Sequence, residues 1–271
     1  MLTVHSINDL GHPRLQPYLT FRQEARHREQ GLFIAEGAKI NRRLLESRIE
    51  VESLLLPEKW LEKLKSLIEA RSESIDAFVA PKSELEKLMG VSMYQGVTGV
   101  GRIPAPPALS DIIQKIEGPG LIVAADGITG SDNAGTLARN GAAFGVHALL
   151  MGDTSCSAWL RKAVRTSMGT IFKIPAIDTD SLPESLKLLK SAGYKTVAAH
   201  AHTDEHRLSA VDLSCNTCLI LGSEGSGIRE EVLAECDEHV IVPMANQVDS
   251  LNVGSAASVF LYEAARQRGL V

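Results

Sequence analysis

Six apolar segments of strand length recur about every 21 to 26 residues in the second half of the chain: LIVAAD (121–126), HALLMGD (147–153), FKIPAI (172–177), KTVAAH (195–200), CLILGS (218–223) and HVIVPM (239–244). Most gaps between them carry a helical pattern. Strands apolar on both faces need helices on both sides, so this spacing predicts a parallel α/β sheet. Ala134, Leu137, Ala138 and Ala142 form one helical stripe, and Leu251, Ala257, Phe260, Leu261 and Ala264 another. Ligands of such sheets bind beyond the carboxyl ends of the strands, which directs attention to the loops that follow them.

The preceding stretch GRIPAPPALSDIIQKIEGPG (101–120) holds four of the eleven prolines and marks a junction. Before it, LFIAEG (32–37), VESLLLP (51–57), IDAFVAP (75–81) and QGVTGVGRI (95–103) alternate with helical stretches, the clearest carrying Trp60, Leu61, Leu64 and Ile68 on one face. The expectation is a smaller α/β domain over 1–105 and a larger one over 106–271, a division that 271 residues can support.

The net charge of -5 excludes a chain that is basic throughout. Within residues 1–48, however, eight arginines and lysines face five acids, and Arg22, Arg26, Arg28, Arg42 and Arg43 are the candidate contacts to RNA phosphate. An ordinary solvated helix face is the competing reading. No segment has the length of a membrane span, and the first residues lack the basic and apolar regions of a signal peptide, so a cytoplasmic protein without membrane contact is expected.

Three loops hold more polar and glycine residues than a turn needs. In the first, Asn133 opens a helix and Arg139 follows six residues later, an arrangement suited to an anion; an N-cap and a surface cation would also account for it. In the second, Gly222, Gly225 and Gly227 surround Glu224 between a strand and a helix, letting the backbone approach a ligand closely. The third runs from Pro243 and Met244 to Ser250, Leu251 and Asn252 ahead of an apolar helix. There Ser250 reads as the N-cap, and Asn252 has little helix-forming reason to be present.

These loops closely resemble the signature motifs of the SpoU family of RNA 2'-O-ribose methyltransferases in the SPOUT superfamily: NAGTLARNGAAFG (133–145), LILGSEGSGI (219–228) and VPMANQVDSLNVGSAASVFLYEAARQ (242–267). They occur in the family's order, and RTSMGTIFKIP (165–175) extends the likeness over most of 120–268. FIAEG (33–37) and YQGV (94–97) resemble the family's L30e-like substrate-binding domain. The resemblance implies a SPOUT-type parallel sheet with a deep trefoil knot, S-adenosylmethionine as cofactor and a homodimer. It implies cofactor contacts at Leu221, Gly222, Ile241, Met244, Ser250, Leu251 and Asn252. The implied catalytic neighbourhood is Asn133, Arg139, Glu224, Ser250 and Asn252, with Asn133 and Glu224 orienting Arg139 or the ribose. Ribosomal RNA is expected over tRNA, from the separate amino-terminal module and the end of the chain at Val271 without a basic tail.

Two other classes compete. A nucleotide-dependent oxidoreductase is what the strand rhythm alone suggests, but no G-x-G-x-x-G follows the first strand of the second half. A non-catalytic RNA-binding protein of the same fold would be free to lose the polar residues that are present here. Cys215, Cys218, Cys236 and His239 have zinc-ribbon spacing, and His200, His202 and His206 cluster after the fourth strand. Cys218 begins an apolar strand, so buried thiols are expected and no metal is assigned.

Overall fold

A computed structural model describes residues 1–7, 12–92, 95–201, 203 and 205–271. The chain forms two compact units, Met1–Ala105 with Trp159–Phe172, and Pro106–Ala158 with Lys173–Val271. A single boundary near residue 105 therefore misses a detour: Trp159–Phe172, from the middle of the second half, packs with the first unit.

The first unit is a mixed five-stranded sheet of β1 (Leu2–Ser6), β2 (Leu32–Glu36), β3 (Val51–Leu56), β4 (Ile75–Val79) and β5 (Thr98–Arg102), in the order β1-β4-β3-β5-β2. β1 pairs in parallel with β4, and β4 with β3, while β5 runs antiparallel to β3 and β2. Leu54, Leu55 and Leu56 on β3 are fully buried, as a strand covered on both faces requires. The helix Glu58–Glu69 buries Leu61, Leu64 and Ile68 at helical spacing, whereas Trp60 stays half-buried with the Lys63 ammonium 4.9 Å from its ring centre. The detour packs against β2 through the rings of Trp159 and Phe172 around Phe33, at 5.1 and 5.6 Å between centroids, and through Arg161 donating to Glu36 at 2.6 Å.

The second unit holds β6 (Leu121–Asp126), β7 (Ala148–Met151), β8 (Ala176–Asp178), β9 (Lys195–Ala199), β10 (His206–Arg207), β11 (Thr217–Gly222) and β12 (Glu238–Ile241). Every pairing is parallel, in the order β10-β12-β9-β11-β6-β7-β8. β8 is shorter than FKIPAI predicts, because Thr170–Lys173 forms a 3-10 turn before it. The chain leaves β6 outward through β7 and β8, then returns to build β9, β11 and β12 on the other side. The strand order thus reverses between β6 and β11, the place where open α/β sheets form their ligand crevice. Register brings Asp126 opposite Gly222, and Leu221 opposite Ala199, so the loops after β6, β11, β9 and β12 emerge side by side. The helices Ser131–Ala143 and Val253–Gln267 pack closely. A side chain at Gly254 would collide with Thr136, and Asn140 donates to the Gly254 carbonyl and the Ser258 hydroxyl, both from the other helix.

Candidate active site

The glycine turn after β11 is closed on itself. Ser223 and Gly227 exchange backbone hydrogen bonds, each 3.0 Å, and a Cβ at Gly222 would lie 2.4 Å from the Gly227 backbone. Only glycine at 222 permits this approach. Glu224 projects from the turn, and its Oε1 accepts from the Asn133 amide at 2.7 Å and the Asn252 amide at 2.6 Å. Asn252 also donates to Asn133 Oδ1 at 3.2 Å. Residues 28 to 119 positions apart therefore form one polar trio across all three loops.

Local structure explains why these amides are available. Asn133 lies inside its helix, whose N-cap is Gly130, so its side chain caps nothing and is free to reach Glu224. The third loop corrects the expectation for Ser250: the N-cap of Val253–Gln267 is Asn252, whose Oδ1 accepts from the Gly254 N–H at 3.0 Å. One amide side chain thus does two jobs, its oxygen capping the helix and its nitrogen holding Glu224.

Beside the trio is a cavity of about 280 Å³, lined by Leu221, the glycine turn, Met244, Ser250, Leu251 and Phe260 among others. Of the cofactor candidates, Leu221, Gly222, Met244, Ser250 and Leu251 line it, and Asn252 sits next to it through Glu224. Ile241 does not; Val240 and Val242 do. Alternate residues of a strand point to opposite faces, which sets Ile241 out of phase with the neighbours that line the cavity. The loop wall after β12 is strained, with Asn246 and Gln247 both at φ 56°.

Arg139 is exposed and makes no hydrogen bond or ion pair among the described residues. Neither Asn133 nor Glu224 contacts it, so of the two roles expected of that pair, orienting Arg139 or orienting the ribose, only the second is open to them here. Six residues along a helix turn it about 240° from Asn133, which faces Glu224. Of the RNA candidates, Arg43 donates to the Met168 carbonyl at 2.6 Å, Arg22 to the Gly90 carbonyl at 3.4 Å, and Arg42 lies 3.9 Å from Glu46. Arg26 and Arg28 are exposed.

One feature beneath the glycine turn has no counterpart in the sequence reading. Asp126, fully buried at the end of β6, accepts from the Arg229 N–H and Nε, both at 2.8 Å. The same guanidinium forks onto both oxygens of Asp153 at 2.9 and 3.0 Å and holds that carboxyl below its usual range. These partners lie 103 and 76 residues from Arg229, so no local pattern could announce them.

The cysteines are free thiols. Burial holds only in part: Cys218 is sealed in the core and Cys236 is pushed up to about 12 by burial, whereas Cys215, just before the apolar strand, is exposed. His200 lines the cavity, His206 starts the edge strand β10, and His202 lies outside the described residues. Potential metal ligands do gather at His5, His12 and Asp76 in the first unit, within 4.8 Å of one another. There both Asp76 oxygens are taken, by His5 at 2.7 Å and Arg14 at 2.9 Å.

With this geometry in view, comparison with known proteins is direct. Residues 120–262 match the SpoU rRNA Methylase family. A 23S rRNA (guanosine-2'-O-)-methyltransferase from a Burkholderia species is 31% identical over 202 residues, spanning 73% of this chain and 81% of that protein. An uncharacterized tRNA/rRNA methyltransferase of Mycobacterium tuberculosis is 28% identical over 98% of this chain and 93% of its own length. Among solved structures, the SpoU methyltransferase AviRb from Streptomyces viridochromogenes, crystallised with its cofactor AdoMet, superposes with a TM-score of 0.81 at 25% identity, over 95% of this chain and 98% of that one. The chain belongs to the SpoU family and has its SPOUT-type parallel sheet. It is an RNA methyltransferase, and S-adenosylmethionine is the methyl donor of its family. The cavity fits such a donor: apolar walls for a base, a glycine turn whose backbone can be approached, and hydroxyl and amide groups at the rim.

Proposed function

We propose that the protein methylates the ribose 2'-hydroxyl of RNA, with ribosomal RNA as substrate and tRNA as the alternative. The observation that carries this reading is the trio of Asn133, Glu224 and Asn252 at the rim of the cavity, with Ser250 close by. Leu221, Gly222, Met244, Ser250 and Leu251 would hold the cofactor, which supplies an activated sulfonium methyl when bound. The chain's own task is then to align a weak nucleophile and ease loss of its proton. Glu224 Oε1 is occupied by two amides, which fixes the carboxylate and leaves Oε2 to receive a ribose hydroxyl. Arg139, unpaired, is suited to gripping the adjacent phosphate and stabilising developing alkoxide charge, with a phosphate oxygen or water accepting the proton.

The first unit, with Arg22, Arg26, Arg28 and Arg42 on exposed positions, is the RNA-recognition module in this proposal. Its L30e likeness, the trefoil knot of the second unit, the homodimer and a cytoplasmic setting belong to the same reading. No described helix is long and apolar enough to cross a membrane. Val259 and Tyr262 are exposed on the last helix, consistent with a second copy covering them. Light scattering at micromolar concentration should return about twice the 29.2 kDa chain mass; a monomer that still methylates RNA would remove the dimer from the account.

Incubation with labelled S-adenosylmethionine and either bulk rRNA or bulk tRNA tests the substrate. Label should enter rRNA, and label confined to tRNA would overturn that assignment. Asn252 offers a finer test. Asn252→Ala should lose the helix cap, lowering Tm by about 2–4 °C for a loss of about 1 kcal/mol, together with most activity. Asn252→Asp keeps a capping oxygen but sets a carboxylate against Glu224, so it should keep its Tm and still lose turnover. Equal activity in the two wild-type-like melting proteins, Asn252→Asp and the parent, would show that the contact to Glu224 has no part in the reaction.

A further inference from the structure

We propose that Arg229 is a positioning residue for methyl transfer, acting through Glu224. This rests on the reading of the trio given above. The turn Gly222–Gly227 is closed on itself by its own backbone, so the placement of Glu224 depends on what holds its two ends. One end is strand β11. The other is Arg229, which binds Asp126 through its backbone N–H and Nε, spreads its two terminal nitrogens over Asp153, and donates a further hydrogen bond to the exposed Glu231 at 2.9 Å.

Asp126 is also where the loop to Asn133 leaves β6. The pair of Arg229 and Asp126 therefore anchors both loops whose side chains meet at Glu224 Oε1, and the 2.7 Å contact between Asn133 and Glu224 spans the gap it fixes. The guanidinium fork makes these contacts at once in one plane, which an ammonium cannot do. Asp126 is fully buried and Asp153 half-exposed, so the two halves of the clamp can be loosened separately. Removing the Asp153 half leaves the buried charge paired. Removing Arg229 altogether leaves it without its cation, a change that endangers folding.

The variants are Arg229→Lys, Asp153→Asn and Glu224→Gln, each in the full chain, with both doubles carrying Glu224→Gln. Misplacing a reacting group slightly can cost about 10- to 100-fold in rate, so Arg229→Lys should lose turnover on that order and Asp153→Asn at the lower end. The loss should fall on kcat more than on KM for RNA. Because Arg229 acts through Glu224, each double variant should lose no more than Glu224→Gln alone. A readout independent of turnover is the pair of Asn133 and Asn252 side-chain amide NMR signals, which Arg229→Lys or Asp153→Asn should shift in the direction that Glu224→Gln does. Multiplying losses in the doubles, or amide signals unmoved by loosening the clamp, would overturn the proposal. If Arg229→Lys fails to fold, the Asp153→Asn cycle gives the same decision. Absence of transfer by the parent chain to any RNA would instead sink the methyltransferase reading, leaving the amide shifts to judge the clamp.

Discussion

Replacing Arg139 with alanine should reduce methyl transfer by about 100-fold or more while the protein folds and binds S-adenosylmethionine as before. Loss of one contact made in the transition state, roughly 3 kcal/mol, gives that factor. The separation of activity from folding follows from the structure: Arg139 is exposed and has no partner among the described residues, so its truncation orphans nothing. Surface changes of that kind usually move stability by no more than about 0.5 kcal/mol. Arg139→Lys should rescue poorly, because an ammonium cannot grip a phosphate with two parallel hydrogen bonds. Turnover near that of the parent would take Arg139 out of the mechanism, and an equally large loss of cofactor affinity would place it at the cavity instead.

Deleting residues 1–105 should produce an aggregating protein. A division at residue 105 does not free the second unit, because Trp159–Phe172 from its sequence belongs to the first. Trp159 is 6% exposed and Ile171 1% exposed, and the aromatic pair Trp159 and Phe172 sits on Phe33 of β2. Without the first unit, this apolar segment has nothing to cover it. Replacing Trp159–Phe172 with a flexible Gly/Ser linker in the same deletion should restore a folded protein that binds S-adenosylmethionine, because the seven-stranded sheet, the trio and the cavity all lie outside the exchanged segment. RNA affinity should fall and lose much of its salt dependence, since the removed arginines would supply phosphate contacts that release counterions. A bare deletion that stays monodisperse and folded would contradict the assignment of 159–172 to the first unit. A linker-repaired protein that binds RNA like the parent would end the case for that unit as the recognition module.

The parts of the fold visible in the sequence are those set by burial and local chemistry. β6 and β11 are covered on both faces, and their unbroken apolar runs say so. The glycine turn is visible because Gly222, Gly225 and Gly227 crowd between a strand and a helix, although its closure through Ser223 and Gly227 appears only in the structure. What stayed hidden depends on contacts distant in the chain or on edges with weak patterning. β1 and the two-residue β10 pair on one side only and carry little apolar signal. Ile241 ends its strand between Val240 and Val242, and an apolar run gives no sign of which alternate residues face the cavity. Helix propensity gives Asn252 little reason to be present and points to Ser250 as the cap, yet Asn252 is both the cap of its helix and the partner of Glu224, because the helix starts two residues later than the local pattern suggests. Asn133, Glu224 and Asn252 are among the residues that the family motifs imply, whereas the clamp of Asp126, Arg229 and Asp153 joins side chains 76 and 103 residues apart and leaves no local pattern.

The account stands or falls on where the methyl group goes. RNA treated with the protein and S-adenosylmethionine should be digested with nuclease and phosphatase, and the methylated product identified by mass spectrometry with parallel alkaline hydrolysis. A 2'-hydroxyl bearing a methyl group can no longer attack its neighbouring phosphate, so the account predicts one alkali-resistant dinucleotide whose extra methyl resides on ribose. A methyl group found on a base, with every phosphodiester still cleaved by alkali, would contradict it.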